Sequence, residues 1–255
     1  MYAIFKREFL SYFRTPVGYV ALAIFTFISG FNFYTLFSGG FVSISDEINS
    51  LRSLFIIIVP IITMGMFAED RKRGTEVLYY TTPVDLFSVV VGKFLSAMAL
   101  TLVMFVNVFM HMIVVASCGG SIGYGAWGSV IVFFFMAALM ISIGLFASVI
   151  SDNQIISAIV AFLFILLNNL MSVIGEYFGY AVSTIMSYMG KSVTSRNNAK
   201  TVVTKAISWF DPFAKTSNFR NGIFSAAALV FCSSFAIFFL YLSFRILEKK
   251  RWSQK

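Results

Sequence analysis

The chain has 255 residues, of which 59% are hydrophobic, 18% are aromatic and only 12% are charged, and its formal net charge is +8. Because a soluble domain carries about 25% charged residues, this composition excludes a soluble globular fold and indicates a lipid bilayer as the main solvent. The positive charge does not indicate nucleic-acid binding, since the basic residues flank apolar segments instead of forming one basic face.

The apolar segments predict an all-α integral membrane protein with six transmembrane helices in a single domain, residues 1–255. A helix needs about 20 apolar residues to cross the hydrocarbon core. Six segments meet or approach that length, namely 17–37, 54–68, 94–116, 127–150, 155–175 and 223–244. The second segment is short, so we expect its helix to begin near Ser50 and to carry Pro60 as a tolerated kink.

The distribution of basic residues predicts that both termini are cytoplasmic. Most of the 19 lysines and arginines lie before the first segment, between the second and third, and after the last, whereas the connections 38–49 and 117–126 contain none. Such an excess of positive charge marks the inner side of a membrane.

Two flanking regions have their own patterns. Residues 1–15 place aromatic side chains on one helical face, which predicts an amphipathic helix at the cytoplasmic interface. The outer loop 176–222 contains a segment, YAVSTIMSYM, that is too short to cross a bilayer and too apolar to lie in water. This segment predicts re-entrant or interfacial helices in that loop.

The stretch AEDRKRGTEVLYYTTPVD, residues 68–85, carries the densest charge cluster of the chain. Gly74 permits a sharp turn, Thr75 is a candidate N-cap, and Glu76 lies where a helix dipole favours an anion. The pattern predicts a short helix over residues 76–81.

A second start signal follows that short helix. Thr82 is a candidate cap, Pro83 suits the first helical position, and Asp85 would be the third residue of the helix. The loop is therefore predicted to be a rigid cytoplasmic element attached to the second and third spans.

Polar residues inside the spans are few. Asn107 and His111 share a face of the third span, and Asn168 and Asn169 follow each other in the fifth. They either form hydrogen bonds between helices or line a substrate path. The six apolar segments contain no Asp, Glu, Lys or Arg, which disfavours a proton-coupled transporter and indicates that energy enters from a partner.

The sequence contains no signature of a cofactor or metal site. The string MGKS at 189–192 resembles the end of a P-loop, but Ile185 stands where that motif requires glycine. We therefore expect no cofactor, no metal and no catalytic residue, with ATP hydrolysis in a separate subunit.

The charged loop resembles that of ABC transporter permeases of the type 2 exporter class. The opening segment, FKREFLSYFRTPVGYVALAIFTFISGFNFY, resembles the gliding-motility-associated subgroup of these permeases, and WFDPFAKTSNFRNG resembles their segment before the last span. The loop residues that carry the resemblance are Glu69, Gly74, Thr75, Glu76, Leu78, Pro83 and Val84, followed by Gly92, Lys93 and Phe94.

The resemblance implies one half of an ATP-driven exporter in a bacterial inner membrane, where two identical or homologous permease subunits bind two ATPase subunits. In this family the N-terminal helix and the loop after the second span contact the ATPase. Carried over to this chain, those contacts involve Lys6, Arg7 and Glu8 in the helix and Glu69, Arg71, Arg73, Gly74, Thr75, Glu76, Leu78 and Pro83 in the loop.

Two questions stay open in the sequence. A polar insertion, TSRNNAK at 194–200, departs from the family pattern, so the outer loop either closes the exit of the pathway or docks an accessory protein. The subgroup resemblance favours a gliding-motility or surface-polymer export system, and a drug, peptide or ion exporter is the alternative. A channel or scaffold that acts without a partner is a more distant alternative.

Overall fold

The structure is a computed structural model, and it describes residues 1–39, 43–81 and 85–253. Within those ranges the chain is all helical and contains no strand. The helices are α1 (Tyr2–Arg14), α2 (Pro16–Ser38), α3 (Ile44–Thr63), α4 (Ala68–Lys72), α5 (Val77–Thr81), α6 (Leu86–Ser117), α7 (Tyr124–Ile150), α8 (Gln154–Asn169), α9 (Met171–Tyr188), α10 (Val193–Ser208), α11 (Pro212–Thr216) and α12 (Ala226–Ser253). A 3-10 helix, Ser217–Asn221, follows α11.

Among the described residues, five segments are long and apolar enough to cross a membrane, and a sixth is obtained if α8 and α9 together form one span. These two helices meet at an angle of 57°. The predicted continuous fifth span, 155–175, is therefore wrong in its shape, because the helix ends at Asn169 and a new one begins at Met171. With 16 residues, α8 is about 24 Å long, which is too short to cross the hydrocarbon core alone.

The second crossing helix begins earlier than the sequence predicts. Ser43 is the N-cap of α3, with its side chain accepting a hydrogen bond from the Asp46 amide. The helix therefore includes Glu47 and Arg52, whose exposed fractions are 0% and 5%. The expectation that no ionisable residue lies in a spanning segment is wrong, and the argument that it supplied against proton coupling is lost.

The start of α6 also differs from the prediction. Asp85 is the N-cap of this helix, and its carboxylate accepts hydrogen bonds of 3.1 Å from the amides of Phe87 and Ser88. It is therefore not the third residue of a helix. The predicted cap Thr82 and helix-starting Pro83 lie outside the described residues.

The core is built around α3 and α7, which contact most of the other crossing helices. Four buried phenylalanines from different helices meet there: the ring centroids of Phe25 and Phe55 are 5.9 Å apart, those of Phe55 and Phe133 4.7 Å, and those of Phe105 and Phe133 4.4 Å. Aromatic pairs at such distances add to the gain from burial. They join α2, α3, α6 and α7 into one packed unit.

The loop 176–222 folds into helices, the first of which begins before the loop, and the re-entrant or interfacial position expected of them stays a prediction. Helices α9 and α10 form a hairpin, and a Cβ at Gly175 or Gly179 would lie 3.1 Å from a backbone oxygen of α10. The ammonium of Lys200 lies 3.4 Å from the centroid of the Tyr180 ring. At the base of the hairpin, Ser172 donates a 2.5 Å hydrogen bond to Asp211, which also caps α11.

One end of the bundle, called the charged end below, contains α1, α4, α5, the turn between α7 and α8, and the last turns of α12. Side-chain contacts connect these parts: Arg7 donates to Tyr79, Arg71 to Asp152, and Lys250 to the carbonyl of Val149. The N-terminal helix and the charged loop are therefore neighbours in space, at the end that also receives the C-terminal helix.

Candidate functional site

The turn between α4 and α5 is fixed by backbone and side-chain hydrogen bonds. Gly74 has a φ of 73°, in the left-handed region that glycine adopts without strain. After it, the Thr75 amide donates to the Asp70 carbonyl at 2.9 Å, and the Thr75 hydroxyl donates to the Asp70 carboxylate at 3.1 Å. The Thr75 hydroxyl, predicted to cap the short helix, thus fastens the turn to α4.

Lys93 lies at the centre of the charged end. Its side chain is 1% exposed, and its ammonium lies 2.6 Å from the Asp70 carboxylate and 3.1 Å from that of Glu8. It also donates a hydrogen bond to the Met66 carbonyl. A buried ammonium requires such partners because the loss of hydration costs several kcal/mol (order of magnitude). Through Lys93, helix α6 is joined to α1 and α4.

Tyr79 connects α5 to the same cluster. Its hydroxyl donates to Asp70 at 2.7 Å and accepts a hydrogen bond from Arg7 at 2.8 Å. Burial raises the pKa of this hydroxyl, and Lys93 offsets only part of the effect. The phenol therefore stays protonated and serves as a donor to Asp70 at neutral pH.

Arg71 attaches the loop to the turn between α7 and α8. Its guanidinium lies 2.7 Å from a Glu76 oxygen and 2.7 Å from the Asp152 carboxylate, and it donates to the carbonyls of Ser151 and Val149. Glu76 is itself only 9% exposed. The two residues thus form part of the internal structure of the charged end.

The residues of α1 and of the loop that are predicted to contact an ATPase therefore divide into two groups. Arg7, Glu8, Arg71, Thr75 and Glu76 are engaged within the chain. Lys6 and Arg73 are exposed, and so is Leu78 with an exposed fraction of 56%, beside Val77 with 52%. Glu69 pairs with Arg73, and Pro83 lies outside the described residues.

The predicted polar residues of the spans lie in separate environments. His111 is 2.7 Å from Glu47, which also accepts a 2.8 Å hydrogen bond from Ser29. Asn107, one turn from His111, has a buried amide nitrogen with no hydrogen-bond partner among the described residues. Asn168 donates to the Phe210 carbonyl at 3.4 Å, and Asn169 is the last residue of α8.

Sequence reasoning missed the charged residues of α3. Arg52 donates to the Thr216 hydroxyl, and its guanidinium lies 4.9 Å from the centroid of the Phe213 ring. It thereby joins α3 to α11. The signal that could have extended the helix is the Ser43 cap followed by acidic residues in the first turn, since this pattern starts helices.

The Glu47–His111 pair supports a prediction about stability. We expect His111→Gln and Glu47→Gln each to destabilise the protein, and their combined effect to differ from the sum by about 1 kcal/mol or more, because the two side chains share a buried hydrogen bond. Denaturing-detergent titrations of both single variants and the double variant measure this difference. Additive effects would show that the pair contributes no coupling.

The number and length of the apolar helices define a multi-pass membrane protein. The family model described as ABC-2 family transporter protein matches residues 2–250. The chain therefore belongs to the ABC-2 transporter family, and it is a transmembrane permease of an ABC transporter, which is the membrane component and not the catalytic one. No sequence among the curated proteins matches the chain. The class predicted from the loop motif is confirmed, and the gliding-motility subgroup stays a prediction.

Proposed function

We propose that this permease is driven by a separate ATPase subunit that binds the charged end, and that the charged end faces the cytoplasm. The observation that carries the proposal is the cluster around Lys93. Tyr79 of α5 binds Asp70 of α4, and Asp70 binds Lys93 of α6. A displacement of α5 is therefore transmitted to a crossing helix through direct contacts.

The surface proposed to receive the ATPase is the exposed side of α5 together with Lys6 of α1. Val77 and Leu78 are about half exposed, and apolar side chains of this kind act as anchors when a partner covers them. Glu76 and Arg71 keep the role of holding α5 in place. The short helix then contacts the ATPase directly, and the charges behind it set its orientation.

In this mechanism, ATP closes the ATPase dimer and moves α5, and α3 and α6 follow because they are attached to the loop. The pathway then changes between inward-facing and outward-facing states. Coupling requires an element whose position both sites influence, and α5 with its attached cluster meets that requirement. The second half of the pathway is a second permease subunit, identical or homologous.

The type of export system is inferred from the resemblance of the opening segment to gliding-motility-associated permeases. It favours a bacterial inner-membrane exporter for gliding motility or a surface polymer over a drug, peptide or ion exporter. ATPase activity of the reconstituted complex, measured with each class of candidate substrate, distinguishes these alternatives. The outer loop either closes the exit or docks an accessory protein. Co-purification of partner proteins with the permease, with and without residues 190–200, distinguishes these two roles.

Leu78→Glu tests the docking surface. We expect this change to reduce co-purification of the ATPase about tenfold or more, because an apolar anchor is replaced by a charge that the interface must desolvate. The fold should be unaffected, since the side chain is 56% exposed. The ATPase used is one encoded in a neighbouring reading frame that carries GxxxxGK[ST]. Co-purification of this ATPase with the permease, from membranes that contain both subunits, measures the effect.

Trp252→Glu is the matched control, because Trp252 is an exposed apolar residue at the charged end but on α12. An equal loss of ATPase in both variants would contradict the assignment of α5. If no ATPase binds the wild-type protein, and the purified permease alone conducts ions or solutes, the channel alternative is correct. Glu76→Lys is a less selective test, since it also breaks the contact with Arg71.

A further inference from the structure

A cavity of about 510 Å³ opens at the charged end, between α1, the start of α2, the end of α3 and the loop that begins with α4. This volume lies within the range of roughly 300–1,000 Å³ that small-molecule sites occupy. The cavity contains none of the polar residues predicted to line a substrate path, Asn107, His111, Asn168 or Asn169. It is therefore a separate feature of the permease.

The walls of the cavity change from apolar to polar. Val17, Ile61 and Ile62 supply an apolar wall where α2 and α3 enter the bundle, and Arg7, Arg73 and Gln154 lie on the polar side. The amphipathic helix α1 ends and α2 begins beside the cavity, and Thr15, which lies between the two helices, is part of its wall. A ligand that matches both kinds of wall has an apolar part and a polar head.

The two arginines indicate the charge of that head. Arg7 pairs with its neighbour Glu8 at 2.5 Å, and Arg73 pairs with Glu69 four residues earlier in sequence. The arginine side chains are 53% and 64% exposed. The Arg73–Glu69 pair is the more exposed of the two, and exposed pairs contribute roughly 0–1 kcal/mol, so a phosphate can compete with Glu69 for Arg73. Arg7 binds Glu8 and Tyr79 through Nε and Nη2, and its Nη1 group can donate to the same phosphate while these contacts stay in place.

The carboxylates of the wall do not prevent anion binding. Glu8 and Asp70 are already paired with the buried Lys93, and Glu69 is 34% exposed, so water can hydrate its carboxylate when a phosphate binds Arg73. Burial lowers the pKa of Arg7, but its hydrogen bonds with Glu8 and Tyr79 and their charges outweigh this effect and raise the pKa above its usual value, so the guanidinium stays charged. Arg73 and the Nη1 group of Arg7 are thus the donors that a phosphate can reach.

We propose that this cavity binds a phosphate-bearing amphiphile from the membrane leaflet at the charged end, with the phosphate at Arg7 and Arg73 and the apolar part against Val17, Ile61 and Ile62. The amphiphile is either a lipid of the bilayer or a transported molecule with the same chemistry. Because the cavity is formed by this chain alone, the proposal can be tested without an ATPase, and its failure leaves the proposed function intact.

The test uses the purified full-length permease in a neutral detergent. Short-chain phosphatidylglycerol, diacylglycerol and glycerol 3-phosphate are each titrated while the unfolding temperature is followed. We expect phosphatidylglycerol alone to raise that temperature, by about 3 °C or more at saturation. Equal stabilisation by diacylglycerol would show that the phosphate is not recognised. Equal stabilisation by glycerol 3-phosphate would show a simple phosphate site, and either result overturns the proposal.

Two variants and two matched controls locate the site. Arg73→Gln should weaken phosphatidylglycerol binding about tenfold or more, as the loss of a charged hydrogen bond does, while Arg245→Gln should not. Arg245 is likewise an exposed arginine paired with a nearby glutamate, at 2.5 Å, but on α12. Ile61→Trp should fill the apolar part and abolish binding, whereas Ile57→Trp, on the exposed side of α3, should leave it unchanged. Wild-type affinity in Arg73→Gln and Ile61→Trp would refute the site.

A transported amphiphile and a bound bilayer lipid are separated in a second arm. Fluorescent phosphatidylglycerol is placed in vesicles with the complete transporter, and its movement between leaflets is measured with and without ATP. ATP-dependent movement identifies the ligand as a transported molecule. Binding without movement identifies it as a lipid that stays at the charged end, and both results support the site.

Discussion

Replacing Lys93 with methionine is expected to lower the free energy of unfolding by about 3 kcal/mol. The change leaves two carboxylates, Glu8 and Asp70, with side chains only 14% and 17% exposed, next to each other without the cation between them. Breaking a buried ion pair at one partner costs roughly 3–5 kcal/mol, and the partial exposure of the carboxylates places this case at the lower limit. Titration with a denaturing detergent measures the loss.

Two further variants separate charge from packing. Asp70→Asn in the Lys93→Met background should recover part of the lost stability, because one of the uncompensated charges is then removed. Arg245→Met, which breaks the exposed pair with Glu248, should cost about 0.5 kcal/mol or less. If Lys93→Met is no more destabilising than Arg245→Met, Lys93 does not hold the charged end together.

Gly144→Leu is expected to prevent the close approach of α3 and α7 and to cost about 3 kcal/mol. A Cβ at Gly144 would lie 2.8 Å from the Cβ of Thr63 and 2.9 Å from its Cγ2. Thr63 is completely buried, so it cannot move away into solvent or lipid. The two helices would have to separate, and they are the centre of the core.

Gly30→Leu is the matched control for this substitution. Gly30 lies within α2, and a Cβ there has no atom within 4 Å. Since leucine favours the helix over glycine by up to about 1 kcal/mol, the control should be neutral or stabilising. An unfolding midpoint of Gly144→Leu equal to that of the wild type would show that the approach of α3 and α7 is not tight.

The sequence predicts the parts of the fold that local chemistry determines. Apolar length alone finds the long helices, and the ends of α2 and α7 agree with the prediction within a few residues. The prediction is wrong where a long-range contact stabilises a polar residue inside a helix. The Ser43 cap is a local signal for the start of α3, but the burial of Glu47 depends on Ser29 and His111, which lie on other helices.

The charged end shows the same limit. Gly74, Thr75 and the short helix after them are recognisable because turns and caps depend on neighbours in sequence. The residues that organise the site are not recognisable in this way. Lys93 has the appearance of a flanking, membrane-anchoring cation in the sequence, yet its partners Glu8 and Asp70 are 85 and 23 positions away. Pairings over such distances are set by the packing of helices.

The contact between Arg52 and Thr216 has a consequence for biosynthesis. The two residues are 164 positions apart, so the ribosome completes α3 long before it makes the hydroxyl group that Arg52 binds. Until α11 is made, the Arg52 guanidinium lacks the Thr216 hydroxyl and the Phe213 ring, which are two of its contacts in the folded chain. The attachment of α3 to α11 is therefore a late step that follows the synthesis of most of the chain.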